Sequence, residues 1–264
     1  MQPAKVDISV VVAMWNAEDT IIEAISSICD QDLNGIITEV IVVDDCSTDE
    51  SLRICENQKF PLPLRVIALA KNNGPANARN IGISSATGRY IMILDADDVI
   101  IEGALLQLYA EIDENPDVSL VFGGRIEFGP WGFSQKKKYL SLTHLKLAQE
   151  ISSGKNPITH SGAMFRKEWF NEVGGYLASS KHAEDLSLWF RGLSQGKYLQ
   201  LDIPTVYYRH TRRVRGFRYW NQMEYARRRA VEIEVSDSNV FGVDLIKYVK
   251  YWMHMQFRQY ARRN

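Results

Sequence analysis

Short runs of β-branched and apolar residues alternate with segments of helical periodicity in the first hundred residues. The runs predict strands at Val6–Ala13, Glu39–Asp44, Leu64–Leu69 and Tyr90–Leu94. Apolar residues recur at helical spacing from about 17 to 29, and two further helices are predicted after residue 47 and from residue 75. Strands that alternate with helices indicate a mostly parallel sheet with helices on both faces, a doubly wound α/β fold.

The chemistry of individual residues predicts where these helices begin. Asn16 is a candidate N-cap for the first helix, because its side chain can accept a backbone N–H. Ser47 and Glu50 have the spacing of a capping box. Pro75 follows Gly74 and occupies the position that proline favours at a helix start.

The second half of the chain has a less regular pattern. We expect a strand at Val118–Gly123, an exposed turn or loop in GPWGFSQKKKY and a mobile segment over 141–158. The stretch SGAMFRKEWFNEVGGY predicts a strand, a short helix and a glycine turn, and HAEDLSLWFRGLSQGK predicts an amphipathic helix. Two helices rich in arginine and aromatic residues are expected from about residue 216. The predicted organisation is therefore a domain over 1–215, with halves at about 1–100 and 101–215, and a helical extension over 216–264.

The charge of the chain is unevenly distributed. The net charge is −1, but thirteen Arg and Lys face five acidic residues from Thr205 to the end, which leaves +8 there and −9 in the remainder. A basic, aromatic tail could meet phosphate groups or lie on an anionic membrane surface. A nucleic-acid binder could have the same composition, and so could helices packed on the sheet with solvated arginines.

Cysteine use and hydropathy bear on the compartment. Three cysteines without C-x-x-C spacing indicate neither a zinc site nor a disulfide framework. The N-terminus lacks the pattern of a cleavable signal, and no run of 18 apolar residues predicts a membrane span. We expect a cytoplasmic protein that is at most peripheral to the inner face of the membrane.

Three carboxylates follow the fourth predicted strand, in the stretch RYIMILDADDV. Asp95 and Asp97 are two residues apart, so in an extended segment they would point to the same side. Paired carboxylates at a strand end suit Mg²⁺ or Mn²⁺, which keeps open positions for substrate phosphates. The alternative is a helix start, where acids are also favourable, and Asp98 fits that alternative.

Polar or aromatic residues also follow the other strands. Trp15 at the end of the first strand could stack on a base, although core packing would explain it equally well. Asp44 and Asp45 follow the second strand, where a carboxylate could accept hydrogen bonds from a base or ribose. Arg79 lies in the third helix, where it could hold a phosphate or a nearby aspartate. The G-x-G-x-x-G spacing of a dinucleotide-binding turn is absent, which disfavours a dehydrogenase.

These stretches together resemble the family-2 inverting glycosyltransferases of the GT-A fold. The resemblance rests on SVVVAMWNAEDTI, EVIVVDDCSTDES, NNGPANARNIGISSATGRYIMILDADD, GAMFRKEWFNEVGGY and HAEDLSLWFR, in this order over roughly residues 6 to 210. The family pattern usually has proline and tyrosine before the first asparagine and glycine after the paired aspartates. This chain has Ala13, Met14 and Trp15 in the first place and Cys46 in the second.

The resemblance implies roles for individual residues. Trp15 and Asp45 would contact the nucleotide base. Arg79 would lie on the nucleotide side of the pocket, and Asp95 would contact the ribose. Asp97 and His210 would bind Mn²⁺ or Mg²⁺, and Asp185 would be the catalytic base within the pair Glu184–Asp185. The full nucleotide-binding set is Ala13, Trp15, Asn16, Asp45, Arg79, Asp95 and Ala96, with Arg212 and Arg215 (Arg213 between them) as candidates for closing over the diphosphate.

The resemblance also implies an activity. We expect metal-dependent, inverting transfer of a single sugar from a nucleotide sugar, most often a UDP-sugar, to a hydroxyl of a glycan or lipid-linked acceptor. Without a Q-x-x-R-W motif, single transfer is favoured over polymerisation, and no nucleic-acid partner is expected. The alternatives are a GT-A-like protein that binds nucleotide sugar or glycan without turnover, and a sugar nucleotidyltransferase, which the lack of a glycine-rich loop after the first strand disfavours.

Overall fold

The computed structural model describes residues 6–130, 132–134, 142–177 and 183–210. The strands are β1 Ile8–Met14, β2 Thr38–Asp44, β3 Leu64–Ala68, β4 Tyr90–Asp95, β5 Val99–Ile100, β6 Val118–Gly129, β7 Gly132–Ser134, β8 Met164–Arg166 and β9 Lys197–Arg209. The helices are α1 Ile21–Cys29, α2 Ser51–Asn57, α3 Pro75–Ser85, α4 Ala104–Glu114, α5 His144–Ser152, α6 Lys167–Val173 and α7 Glu184–Gly192.

One mixed sheet joins the strands within these ranges. Its order is β3-β2-β1-β4-β8-β6-β9-β5, and β7 pairs with β6 as a hairpin. The four strands from β3 to β4 are parallel, as the alternation of strands and helices predicts. β8 runs antiparallel to both β4 and β6, whereas β9 runs parallel to β6. The carboxyl ends of β1, β2, β4, β6 and β9 therefore reach the same edge of the sheet.

Both faces of the sheet are buried, which explains why its central strands are continuous apolar runs. Alternate residues of β1 enter different cores: Val11 joins one, and Val10 and Val12 join the other. Helices α1, α2 and α4 cover the second core, and α3, α5, α6 and α7 cover the first. The predicted doubly wound α/β fold is confirmed.

Two of the three predicted helix starts are wrong. α1 begins at Ile21, and Asn16 instead accepts a hydrogen bond from the backbone of Thr48. α2 begins at Ser51, so Ser47 does not cap it. Tertiary contacts between two loops use these side chains in place of local caps. The start of α3 at Pro75, after a left-handed glycine, is confirmed.

The second half of the chain is more regular than the sequence indicates. The segment predicted to be mobile, 141–158, contains helix α5, whose Leu147 and Ile151 are fully buried. The expected turn after β6 contains the short strand β7. Strand β9 was not predicted, because Pro204 interrupts its alternating pattern; the register of β9 against β6 shifts beside this proline.

No helix in the described ranges is long and apolar enough to cross a bilayer. The helices predicted from about residue 216 lie outside the described residues.

A buried carboxylate joins β2 to β1 and to the loop before β4, at the edge opposite the carboxyl ends. Glu39 of β2 accepts hydrogen bonds from the Ser9 hydroxyl and from both the N–H and the hydroxyl of Thr87, each at 2.7 Å. Burial would raise the pKa of Glu39, but the hydrogen bonds from Ser9 and Thr87 outweigh it, and the pKa lies below its ordinary value.

We expect Glu39→Gln to lower the free energy of unfolding by about 1–3 kcal/mol at neutral pH, because a neutral amide accepts these bonds more weakly than a carboxylate and would turn an N–H group toward Arg65. A lowered pKa in the folded state stabilises the protein above the unfolded pKa of about 4.3, and this contribution disappears as pH falls through the folded value. Urea denaturation of wild type and variant from pH 7 to about pH 3 measures the difference. A difference that does not change with pH would contradict the assignment, and Glu56→Gln, at an exposed carboxylate, is the control.

Candidate active site

The parallel register aligns the ends of three strands. Ala13 in β1 pairs with Asp95 in β4, and Met14 pairs with Asp44 in β2. The residues that follow these strands therefore meet at one edge of the sheet, where ligands of doubly wound folds bind. The structure brings the predicted nucleotide-binding residues together at this edge.

Trp15 is exposed there, and the loop around it is cross-linked. The Trp15 side chain is 51% exposed, so core packing does not explain it. The next residue, Asn16, donates its N–H to the Ser47 hydroxyl at 2.9 Å and accepts from the Thr48 N–H at 2.8 Å. These bonds join the loops after β1 and β2 and leave the indole free to meet a planar ligand.

Asp45 organises the start of α3. It is buried, and its carboxylate accepts the backbone N–H groups of Asn73 at 2.9 Å and Gly74 at 2.7 Å. Its neighbour Asp44 accepts the N–H of Ser47. A carboxylate has about four lone-pair sites, so Asp45 keeps capacity for a base N–H beyond these two bonds.

The acidic stretch after β4 is a turn and not the extended segment that the sequence predicts. Asp98 donates its N–H to the carbonyl of Asp95 at 3.1 Å, which closes the turn. Ala96 is buried in it, and its carbonyl accepts the Thr20 hydroxyl at 2.9 Å. Strand alternation therefore does not apply to Asp95 and Asp97, because Asp97 lies in the turn. We name residues 95–98 the acidic turn.

Asp98 does not serve a helix start, because β5 follows it and α4 begins only at Ala104. Its carboxyl group is buried, and one oxygen accepts the N–H of Arg209 at 2.8 Å. Within the described residues the other oxygen has no hydrogen-bond partner. Burial, followed by the charges of Asp95 and Asp97, raises the pKa of Asp98 well above its ordinary value.

Arg79 balances part of this negative charge. One guanidinium nitrogen lies 2.7 Å from Asp95 Oδ1 and another lies 2.8 Å from Glu184 Oε1. Burial would raise the pKa of Asp95, but the charge of Arg79 outweighs it and lowers that pKa. The sequence left Arg79 with either a phosphate or a nearby aspartate as its partner, and the structure shows the contact with the aspartate.

Glu184 and Asp185 open α7 but have different partners. Glu184 is paired with Arg79, a cation. Asp185 accepts the side-chain N–H of Asn156, a neutral group, and the N–H of Leu186. Neither of these donors carries a positive charge, so the bonds orient the Asp185 carboxylate without neutralising it.

Sequence reasoning missed a polar layer behind these acids. His160 hydrogen-bonds to the Tyr176 hydroxyl at 2.8 Å, and Ser161 accepts the N–H of Asp95 at 3.1 Å. Burial, followed by the charge of Arg79, lowers the pKa of His160 and favours its neutral form. His160 directly precedes the SGAMF strand pattern and Ser161 is its first residue, and that position was the available clue.

His210 directly follows β9, whose last residue contacts the acidic turn. Its neighbour Arg209 donates its N–H to Asp98 and its Nε to the Asp97 carbonyl at 2.7 Å. The His210 imidazole lies 3.1 Å from Glu127 Oε2. Arg212 and Arg215, predicted to contact diphosphate, lie outside the described residues.

The donors near the acidic turn fit a hard divalent cation in part. Carboxylate oxygens and an imidazole suit Mg²⁺ or Mn²⁺. Across the described ranges, no group of three or more His, Cys, Asp and Glu side chains could hold a metal ion by itself. An ion there would take further ligands from a bound phosphate or water.

A family model described as Glycosyl transferase family 2 matches residues 9–174, well over half of the chain. The chain is 42% identical over 107 residues to the succinoglycan biosynthesis protein ExoO of Rhizobium meliloti, which covers 40% of this chain and 30% of that protein. It is 29% identical over 191 residues to the amylovoran biosynthesis glycosyltransferase AmsE of Erwinia amylovora, covering 71% of this chain and 70% of that protein.

Among solved structures, residues 1–349 of TarS of Staphylococcus aureus in complex with UDP-GlcNAc superimpose with a TM-score of 0.74 at 22% identity. The match covers 96% of this chain and 73% of that chain. This likeness shows the GT-A fold. The chain spans less than a third of ExoO and only 20% of full TarS in the sequence comparison.

The turn after β2 contains a residue, Cys46, with a strained backbone conformation. Cys46, where the family pattern has glycine, adopts φ +61°, a conformation that costs L-residues about 1–2 kcal/mol. We expect Cys46→Val to be less stable than Cys46→Gly by about that amount, because a β-branched side chain tolerates this φ least. Urea denaturation measures both variants. At Cys29, in helix α1, glycine should instead be the less stable substitution, and the same order at both sites would contradict the explanation.

Proposed function

This chain belongs to glycosyl transferase family 2, and from that premise we propose that it transfers a single sugar from a UDP-sugar to a hydroxyl group of a glycan or lipid-linked acceptor, with inversion. The observation that carries the proposal is the bridge from Arg79 to Asp95, at the end of β4, and to Glu184, the residue before Asp185. Trp15 is exposed at the end of β1, beside β4. One edge of the sheet thereby offers a stacking surface, a ribose acceptor and a base.

Asp185 is the catalytic base in this proposal. The base must approach the acceptor hydroxyl and take its proton as the oxygen bonds to the anomeric carbon. Glu184 is a poorer candidate, because its carboxylate is 2.8 Å from the guanidinium of Arg79. Asp185 is held by the amide of Asn156, which orients the carboxylate without supplying a charge.

The donor's nucleotide would lie across the ends of β1, β2 and β4. Trp15 stacks on the base, Asp45 accepts a base N–H, and Asp95 accepts a ribose hydroxyl. Inversion follows if the acceptor attacks from the face opposite the departing diphosphate, which requires Asp185 and the diphosphate to lie on opposite sides of the sugar.

Asp97 and His210 would hold Mg²⁺ or Mn²⁺ together with diphosphate oxygens. When bound, such an ion supplies positive charge that stabilises the leaving diphosphate. Arg209 contributes independently of the ion, because its backbone and side chain hold the acidic turn at Asp98 and Asp97. Arg212 and Arg215 are proposed to contact the diphosphate on the basis of the family resemblance.

The names of the relatives support the choice of donor and acceptor. TarS is named a poly(ribitol-phosphate) β-N-acetylglucosaminyltransferase and was solved with UDP-GlcNAc; ExoO and AmsE are named for polysaccharide biosynthesis. We therefore propose a UDP-hexose or UDP-N-acetylhexosamine donor and a role in surface-polysaccharide synthesis. The place of action proposed is the cytoplasm or the inner membrane face, where the basic stretch after residue 205 would meet a lipid-linked acceptor.

A thermal-shift screen of nucleotides with and without Mn²⁺ tests the donor site. We expect UDP with Mn²⁺, at 100 times its dissociation constant, to stabilise the protein by about 2.7 kcal/mol. Trp15→Ala should weaken UDP binding by about 1–3 kcal/mol, the usual contribution of a base-stacking aromatic residue. Phe133→Ala, at an exposed ring on β7, is the control. If UDP gives no shift in wild type, the proposed donor class is wrong. An equal shift without Mn²⁺ would show that UDP binding does not require the metal ion.

We expect Asp185→Asn to keep its affinity for UDP and to lower UDP release from UDP-GlcNAc about 10²–10⁴-fold, with water as surrogate acceptor. The amide preserves shape, and the Asn156 carboxamide can turn to pair with it. Isothermal titration gives the affinity and a coupled UDP assay gives the rate. Asp117→Asn, at a surface ion pair with Lys197, should behave as wild type. Full turnover by Asp185→Asn would remove Asp185 from this role.

A further inference from the structure

One arginine connects the two halves of the proposed site. The guanidinium of Arg79 in α3 reaches Asp95 at the end of β4 and Glu184 at the start of α7, at 2.7 and 2.8 Å. Its side chain is 7% exposed, and those of its partners are 29% and 14% exposed. The planar guanidinium holds its nitrogens in a fixed geometry, so one bond to each carboxylate restricts the position of both.

The start of α7 has no ordinary cap. The N-cap residue is Ala183, whose methyl side chain cannot accept a backbone N–H, and its φ is +59°, in the left-handed region. A strained residue of this kind persists only where its surroundings hold it. The contacts of the next two residues, Glu184 with Arg79 and Asp185 with Asn156, supply that hold.

The neighbour of Arg79 anchors the preceding part of the chain. The Asn80 carboxamide donates to the Tyr176 carbonyl at 2.7 Å and accepts the Tyr176 N–H at 3.0 Å. The Tyr176 ring centroid lies 5.9 Å from the Arg79 guanidinium carbon. Two consecutive residues of α3 therefore fix the chain at residue 176 and again at residue 184.

We propose that Arg79 is a positioning residue that holds the first turn of α7, and with it Asp185, against the donor-binding end of β4. This inference rests on the proposed function, because it takes Asp185 as the base. It differs from the role in nucleotide binding that the family resemblance suggests for Arg79. The buried guanidinium is directed at two protein carboxylates, so its effect on transfer passes through Glu184 and α7.

Charge balance makes the proposal specific. Burial alone would lower the pKa of Arg79, but Asp95 and Glu184 outweigh burial and raise it above its ordinary value. Removal of the arginine leaves two carboxylates close together without their shared cation, and the resulting repulsion displaces the Glu184 side chain. Removal of the Glu184 charge in the same molecule relieves that repulsion.

The test compares Arg79→Gln, Arg79→Lys, Glu184→Gln and the double variant Arg79→Gln/Glu184→Gln, with UDP-GlcNAc as donor and UDP release as the readout. We expect Arg79→Gln to lower kcat about 10²-fold, the scale of a misplacement near 1 Å, with a KM for UDP-GlcNAc within about threefold of wild type. The double variant should recover at least about tenfold in kcat over Arg79→Gln. Arg79→Lys, which keeps the charge but not the fork, should lie between wild type and Arg79→Gln.

A half-buried arginine elsewhere in the chain, Arg166, is the control. Arg166 donates to the carbonyls of Val118, Ile112 and Asn115, so its removal leaves no carboxylate unpaired. Arg166→Gln should lower the melting temperature without changing kcat of the folded fraction. If Arg79→Gln instead raises KM at unchanged kcat and Glu184→Gln does not rescue it, Arg79 binds the nucleotide and the proposal is overturned.

The bridge can also be measured without turnover. A double-mutant cycle on urea unfolding, with Arg79→Gln and Glu184→Gln, should give a coupling of at least tenfold in the unfolding constant, which is about 1.4 kcal/mol. A coupling near zero overturns the inference. If wild type neither binds UDP nor releases it from UDP-GlcNAc, the proposed function fails while the unfolding cycle still tests the bridge.

Discussion

The parallel register of β1 with its two neighbours is the constraint on which the site depends. It sets Ala13 beside Asp95 and Met14 beside Asp44, so the three strands β1, β2 and β4 end level with one another. A register slip of one residue would turn every side chain of a strand to the other face and move buried apolar residues out of their cores. Burial of the apolar side chains therefore maintains the alignment that brings the polar site residues together.

The polar edge concentrates negative charge, and the fold compensates for it in several ways. Arg79 supplies a buried cation to Asp95 and Glu184. Asp98 has a raised pKa and accepts a backbone N–H from Arg209. Asp45 is satisfied by two backbone N–H groups at the start of α3. These partners keep the carboxylates ordered near one another, which a hard cation and a diphosphate require.

Much of the first half of the chain could be predicted from the sequence, because its strands are buried on both faces and alternate with helices. The boundaries of β2 and β3 differ from prediction by a single residue, and α3 begins at the predicted proline. The helix starts at Asn16 and Ser47 were wrong for a physical reason. These side chains have the chemistry of caps, but each found a partner in the loop after a neighbouring strand. Local patterns do not report such long-range competition.

The second half could be predicted less well, and the missed site residues came from it. Asn156 follows α5 in a segment that the sequence predicted to be mobile, and its bond to Asp185 joins residues 29 apart in sequence. The role of Arg79 was open between a phosphate and an aspartate, since its second partner, Glu184, is 105 residues away. Only the packing of α7 against the sheet brings these groups together.

The antiparallel direction of β8 has a consequence for how such sites recruit chemistry. A parallel strand delivers the residues that follow it to the binding edge, whereas a reversed strand delivers the residues that come before it. His160 and Ser161 reach the end of β4 by this route. In a mixed sheet, therefore, a loop that enters a reversed strand can evolve ligand contacts as readily as one that leaves a forward strand, and a search for functional groups needs to read both.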